Sequence, residues 1–291
     1  MLLKTELINV YSNFELSIYR AIKSPIKNIH NPLKYYMEKK AASSPKFLSI
    51  DIGGSHIKAT ILNDKGALQM DYDKMPTPLP ASPENVVNAI KRLVKGFPAF
   101  DHISVGFPGY VKHGVIQTAP NLGTDFWKDF DLSKKVEKEL GKPTRVVNDA
   151  DMQGLGIVSG KGLEMVLTLG TGFGTALLVD GQLMPHLELA HHPFAKGKTY
   201  DQYVGEKALE KEGLDKWNQR MKKVLKTLKT VVNYDTLYIG GGNSDKLKFK
   251  LDKNMKLVTN QDGIKGGSRL WLKDARHDLI TSVPSTISQS I

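Results

Sequence analysis

Cysteine is absent from all 291 residues. That excludes disulfides and thiol catalysis, and says little about compartment. No apolar run approaches the roughly 18–20 residues needed to cross a bilayer, which argues against a spanning helix. Acidic residues are in deficit, 30 against 41 basic, leaving a formal charge of +11 and a pI near 9.5. Such a surplus draws in anions, among them nucleotide, polyphosphate, nucleic acid and anionic lipid. Aromatics make up only 8%, and none are interleaved with the lysines as a nucleic-acid reader requires. The remaining composition, 40% hydrophobic and 24% charged, is that of a globular protein long enough for two lobes.

What is present is two similar hairpins. Leu48 to Leu62 reads as an apolar strand, Asp51, a turn of Gly53, Gly54 and Ser55, then a second strand carrying Lys58. Glycines let backbone N–H groups approach phosphate oxygens, and an aspartate at a strand end can organise magnesium. The same letters also suit an ordinary hairpin. Met165 to Gly181 repeats the plan, with Gly170, Thr171, Gly172 and Gly174 in the turn. The first copy ends at Asn63–Gly66 and the second at Asp180-Gly181. Repetition at this distance predicts a duplicated architecture in which two phosphate loops face one cleft.

Between the hairpins, Pro143 to Asn148 reads as a buried strand, followed by Asp149, Ala150 and Asp151 and then a helix. An aspartate at such a junction can accept a proton from a substrate hydroxyl. It can equally cap the helix, and the expectation is that Asp151 caps while Asp149 acts as the base.

With these motifs, and with Gly106-Phe-Pro-Gly109, Asn121-Leu-Gly123, Glu188-Leu-Ala-His191 and Ile239-Gly-Gly-Gly242 in order, the chain resembles the ROK-type sugar kinases of the actin–hexokinase superfamily. In detail it is similar to the bacterial polyphosphate glucokinase branch. The resemblance covers residues 46 to 271. It implies an α/β, two-lobed, actin-like (ribonuclease H-like) fold, and a transfer of phosphoryl from polyphosphate, ATP or both to the 6-hydroxyl of glucose. It further implies Asp149 as general base, Asp51 as organiser of Mg2+, and Gly53, Gly54, Ser55, Lys58, Gly170, Thr171, Gly172 and Gly174 around phosphate. Asn121, Asn148, Asp149, Glu188 and His191 would hold the sugar, with Asp201 carried over for a family glutamate. Gly240, Gly241 and Gly242 resemble an adenosine loop, whose plainer reading is a tight turn needing positive φ. Zinc is not expected: many relatives carry a cysteine cluster after the histidine, and His186, His191 and His192 lack a spaced fourth ligand. Ala190 stands where the family has glycine.

The domain expectations are an N-terminal extension over 1–45, with Met37 a natural start, lobes over 46–150 and 151–271, and a tail over 272–291. Helices are predicted near 83–96 (opened by Ser82-Pro83), 200–211 and 215–232. In the last, Met221, Val224, Leu225, Leu228, Val231 and Val232 form the buried stripe, and Lys222, Lys226 and Lys229 share another face. With Lys246, Lys248, Lys250, Lys253 and Lys256, those lysines are either a plain solvated surface or a guide for a long polyanion. A cytoplasmic homodimer, with no specific nucleic acid or membrane partner, completes the expectation. Another hexose (mannose, fructose or an N-acetylhexosamine) is the alternative substrate. A sugar-responsive repressor is the alternative class, disfavoured because 45 residues are short for a winged helix-turn-helix domain.

Overall fold

β1 (Phe47–Ile52) is buried at nearly every position, which is what a central strand covered on both faces requires. It pairs antiparallel with β2 (His56–Leu62), and β2 with β3 (Asp73–Pro76). On its other side β1 runs parallel to β4 (His102–Phe107), and β4 to β8 (Thr144–Asn148). The sheet order is thus β3-β2-β1-β4-β8. Helix α1 (Pro83–Leu93) begins where Ser82 Oγ accepts the Asn85 N–H, with proline in the first turn, as the sequence predicts. Small strands β5 (Val111–Lys112), β6 (Val115–Ile116) and β7 (Phe130–Asp131) form a separate sheet. The short helix α2 (Thr124–Trp127) and helix α3 (Leu132–Leu140) flank β7. Trp127 lies wholly inside this half, its indole N–H donating to Ala81 O at 2.8 Å.

The second half repeats the plan. β9 (Leu163–Leu169) pairs antiparallel with β10 (Phe173–Val179), and β10 with β11 (Gln182–Leu183). β9 runs parallel to β14 (Thr236–Gly240), and β14 to β15 (Met255–Leu257), giving β11-β10-β9-β14-β15. After β12 (Pro193–Ala195) and β13 (Lys198–Thr199) come helices α5 (Tyr200–Val204), α6 (Glu206–Glu212) and α7 (Leu214–Val232). The second sheet, α5 and α7 share one core around Trp217, Met221 and Phe173. Two topologically equivalent halves are what the repeated hairpins imply.

Helix α4 (Asp149–Ile157) joins the halves. It is buried around most of its circumference, Ala150, Met152, Gly154 and Leu155 included, so neither sheet alone could cover it. A third core unites it with Val147 of the first sheet and Val166, Ala176 and Leu178 of the second.

The computed structural model describes residues 44–259, 263 and 265–271. The expectations for 1–43 and for 272–291 lie outside these residues, and the described residues from Pro45 onward belong to one unit. Several sequence expectations are corrected. The helix predicted over 200–211 breaks at Gly205, where a Cβ would press on Asp201 O at 2.7 Å. In α7 the buried stripe holds from Met221 to Leu228, but Val231 is 70% exposed. The end of the second lobe also crosses over. Helix α8 (Gly266–Arg269) lies against α4 and the first sheet, Ser104 Oγ donating to Gly267 O at 2.5 Å. Side chains at Gly266 or Gly267 would collide with Met152 O or Ser49, so glycine is what lets α8 sit this close.

Candidate active site

The first loop joins β1 to β2. Gly53 N–H closes the turn on His56 O at 2.9 Å. Thr77 fixes it from outside, its Oγ1 donating to Gly53 O at 2.6 Å and its N–H to Ser55 O at 2.9 Å. Asp51 and Lys58 are cross-strand partners at its base. Asp51 keeps some exposed surface, but protein surrounds the carboxyl. Desolvation holds its pKa above the ordinary value, against the pull of Lys58.

The second loop joins β9 to β10. Gly170 N–H bonds Gly172 O at 3.2 Å, and Phe173 N–H donates to Asp201 Oδ1 at 3.1 Å. Asn243, just beyond Gly240, Gly241 and Gly242, ties that turn to the loop. Its N–H donates to Leu169 O at 2.8 Å and its Nδ2 to Gly170 O at 3.1 Å.

The glycines divide by physical reason. Gly241 sits at φ +88°, where a Cβ would collide with Leu169 backbone, so the tight-turn reading holds there. Gly174 is required because a Cβ would strike Thr168 Oγ1 and press on Ala150 of α4. Gly170 has an ordinary φ and nothing near its absent Cβ, and at Gly54 the nearest atom, Asn121 Cβ, is 3.6 Å away. Neither turn geometry nor packing demands glycine at those two positions. The backbone there is left open on the side where a Cβ would stand.

The strand-to-helix junction brings the acid in. Asn148, not Asp151, is the N-cap of α4. Its Oδ1 accepts from Ala150 N at 2.8 Å and Asp151 N at 3.4 Å, and its Nδ2 donates to Gly109 O at 3.1 Å. Most of that amide is therefore committed within the protein, leaving one N–H for a ligand. The sequence placed the cap three residues late because Asn and Asp serve equally well there. Asp149 is then the first helical residue, beside Gly106, where a Cβ would stand 3.3 Å from Asp149 Cα. Burial pushes the Asp149 carboxyl up to about 7, reinforced by the negative charges of Asp51 and Glu188 and opposed by the Ala150 N–H and His186.

On the remaining side, Asn121 borders Gly54. Glu188 stands beside His186 and His191, and Glu188 Oε1 is enclosed without a hydrogen bond. His191 Nε2 is 3.9 Å from Glu188 Oε2. Asp201 has one carboxylate oxygen spent on Phe173 N–H, so it braces the second loop as well as lying near His191. Two residues given no place in the sequence-derived site, His186 and Asp151, form a buried pair at 2.9 Å. His186 showed itself locally by lying two residues before Glu188, and the thirty-five-residue separation hid its partner.

The arrangement joins a carboxyl poised near neutrality, two glycine loops, and the partly exposed carboxylate of Glu188. Among the described residues no group of three or more His, Asp or Glu could hold a metal ion by itself. Asp51, a carboxyl held up by burial, fits a hard cation that takes its other ligands from water and phosphate.

Comparison with known proteins agrees with this geometry. Residues 47–187 match the ROK family. The chain is 34% identical over 222 residues to a polyphosphate glucokinase of Mycobacterium tuberculosis, covering 73% of this chain and 82% of that protein. It superposes on the inorganic polyphosphate/ATP-glucomannokinase of an Arthrobacter strain with TM-score 0.70 and 30% identity, over 78% of this chain and 98% of that one. A ROK glucokinase of Streptomyces griseus, crystallised with glucose and AMPPNP, shares the fold at TM-score 0.65 and 20% identity, over 77% and 98%.

Proposed function

The chain belongs to the ROK family, and from that premise we propose that it transfers a phosphoryl group from polyphosphate or ATP to the 6-hydroxyl of glucose. The observation that carries the reading is Asp149: a carboxyl at the start of α4, with its pKa near 7, at the junction of two halves that each present a glycine loop. A general base works best when its pKa lies near the working pH.

The residues then divide the work. Asp149 Oδ accepts the proton of the hydroxyl whose oxygen attacks the terminal phosphorus. Asn121, Glu188 and His191 fix the hexose, each contributing a donor or acceptor that is costly to leave unpaired. Gly53, Gly54 and Ser55 from one half, and Gly170, Thr171, Gly172 and Gly174 from the other, hold the phosphates with backbone N–H groups. Lys58 adds positive charge, and closure that excludes water strengthens these interactions. Asp51 would hold Mg2+, which supplies charge neutralisation on the phosphates when bound.

Both donors are kept because the relatives named above use both words. The Gly240–Gly242 turn, bonded to the second loop through Asn243, favours a nucleotide, and the exposed lysines of α7 favour the longer polyanion. An exposed apolar shelf of Val179, Met184, Leu187 and Val231, beside a cavity of about 340 Å³, supports assembly with a second copy. Among the described residues no helix is long and apolar enough to cross a membrane, and a cytoplasmic location is part of the proposal. The test is magnesium-dependent formation of glucose 6-phosphate with long-chain polyphosphate and with ATP, mannose run alongside. Turnover with either donor supports the reading. Inactivity with both donors on every hexose overturns it.

A further inference from the structure

His186 is enclosed, its side chain 4% exposed. Nδ1 lies 2.9 Å from Asp151 Oδ2, itself 3% exposed, and Nε2 lies 3.4 Å from Glu188 Oε1. Both partners are carboxylates, which accept and do not donate when ionised. Serving both from one imidazole requires both ring nitrogens to carry protons. Tyr110, from the segment after β4, stacks its ring at 6.1 Å and 21°. The other charged groups around it are His191 on its own loop, Asp149 on α4 and, beyond Asp149, Asp51 on β1.

We propose that His186 is a positioning residue of the sugar site: a buried imidazolium that anchors Glu188, on the loop after β11, to Asp151 on α4, two residues past the base. This rests on the kinase reading, since Glu188 is there the hexose acceptor. The enclosed Glu188 Oε1 makes no hydrogen bond. At 3.4 Å His186 holds that enclosed oxygen by charge and so fixes the direction of the whole carboxylate. The single positive charge also offsets a crowd of three carboxylates, Asp149, Asp151 and Glu188. Burial alone would lower the His186 pKa, but the hydrogen bond to Asp151 and the charges of Asp151 and Glu188 push it up to about 10. On Asp151 burial pushes upward more than His186 pulls down, and it is the two carboxylate contacts of one ring that call for a proton on each imidazole nitrogen.

The experiment combines calorimetric glucose binding without donor, steady-state kinetics, and imidazole NMR of the full chain. His186→Gln and the near-isosteric Asp151→Asn should weaken glucose binding roughly 10- to 100-fold, the loss expected of a charged hydrogen-bonding partner. KM for glucose should rise by more than kcat falls, and KM for the donor should stay within about twofold, a pattern that general destabilisation does not give. In the wild type the His186 ring should remain protonated through pH 8, and in Asp151→Asn it should titrate at lower pH. If His186→Gln does not fold, the Asp151→Asn binding and the wild-type NMR still decide. Unchanged glucose affinity in the variants, or a His186 ring that titrates near 6.5 in the wild type, overturns the inference alone. A wild type that binds no hexose overturns the kinase reading beneath it.

Discussion

The two halves share a backbone plan and differ in charge. In the first, Asp51 lies across from Lys58 on β2 and beside Gly106 on β4. In the second, Thr168 occupies the equivalent place, across from Gly174 on β10 and beside Gly240 on β14. An acid and an exposed lysine in one half become a hydroxyl and a glycine in the other. The reason for the glycine is steric: Thr168 and Ala150 already fill the space a Cβ at 174 would need. The difference teaches that the hairpin fixes only where backbone N–H groups point. The first half adds Asp51 and Lys58 at its hairpin and delivers Asp149 at the end of β8, whereas the second carries Glu188, His191 and Asp201 on the segments after its hairpin.

The largest expected effect comes from the half with the charges. Asp149→Asn should fold and lose roughly 10²- to 10⁴-fold in kcat, read by coupled assay. Its stability gives an independent sign. The carboxyl ionises near 3.8 without the fold and near 7 within it. Between those values the native state holds a proton that the unfolded state has lost, so wild-type stability falls as pH rises through that window. Asparagine does not titrate, so the variant should gain Tm over wild type progressively from pH 4 to 7 and keep a constant advantage above. The wild type should itself lose kcat/KM as pH drops below about 7. A pH-independent Tm difference, or wild-type turnover in the variant, breaks the assignment.

Next come the glycines of the second half. Gly241→Ala forces φ +88° on a residue with a Cβ and drives it into Leu169, so thermal or urea unfolding should show a loss of about 2 kcal/mol or more. Gly170→Ala meets no atom within 4 Å. It should leave Tm within about 2 °C and raise KM for the phosphoryl donor severalfold. Equal stability losses at the two positions would erase the distinction between turn glycines and ligand glycines.

The smallest effect is at the surface. Lys222 and Lys226 are exposed on α7, Lys222 lying 5.3 Å over the Phe249 ring. Replacing both by alanine should raise KM for long-chain polyphosphate roughly two- to fivefold at low salt, with KM for ATP unchanged. An equal rise for both donors would mean that the basic face is a general attractor of anions. Lys229 is a poorer choice, since it pairs with Asp252 at 2.6 Å.

The sequence by itself determined what local bonding decides. Both hairpins, the Ser82 cap with Pro83, the run of α7 and the strand-to-helix junction at Asp149 followed from spacing, because turn chemistry and strand or helix periodicity act over a few residues. Where the cues were degenerate, local reading slipped. Asn148 and Asp151 were equally good caps, and Val231 continued an apolar period past the edge of the core. Tertiary structure alone decided what distant segments do to each other. The Asp149 carboxyl is held near 7 only through enclosure and the nearby charge of Asp51. Asp201 became a brace for the second loop only because α5 packs beneath it. His186 met Asp151 across thirty-five residues, and α8 crossed back onto the first sheet through two glycines that no period announced. Desolvation and charge coupling depend on proximity in space, and a single chain's spacing does not encode which remote groups will close around a site.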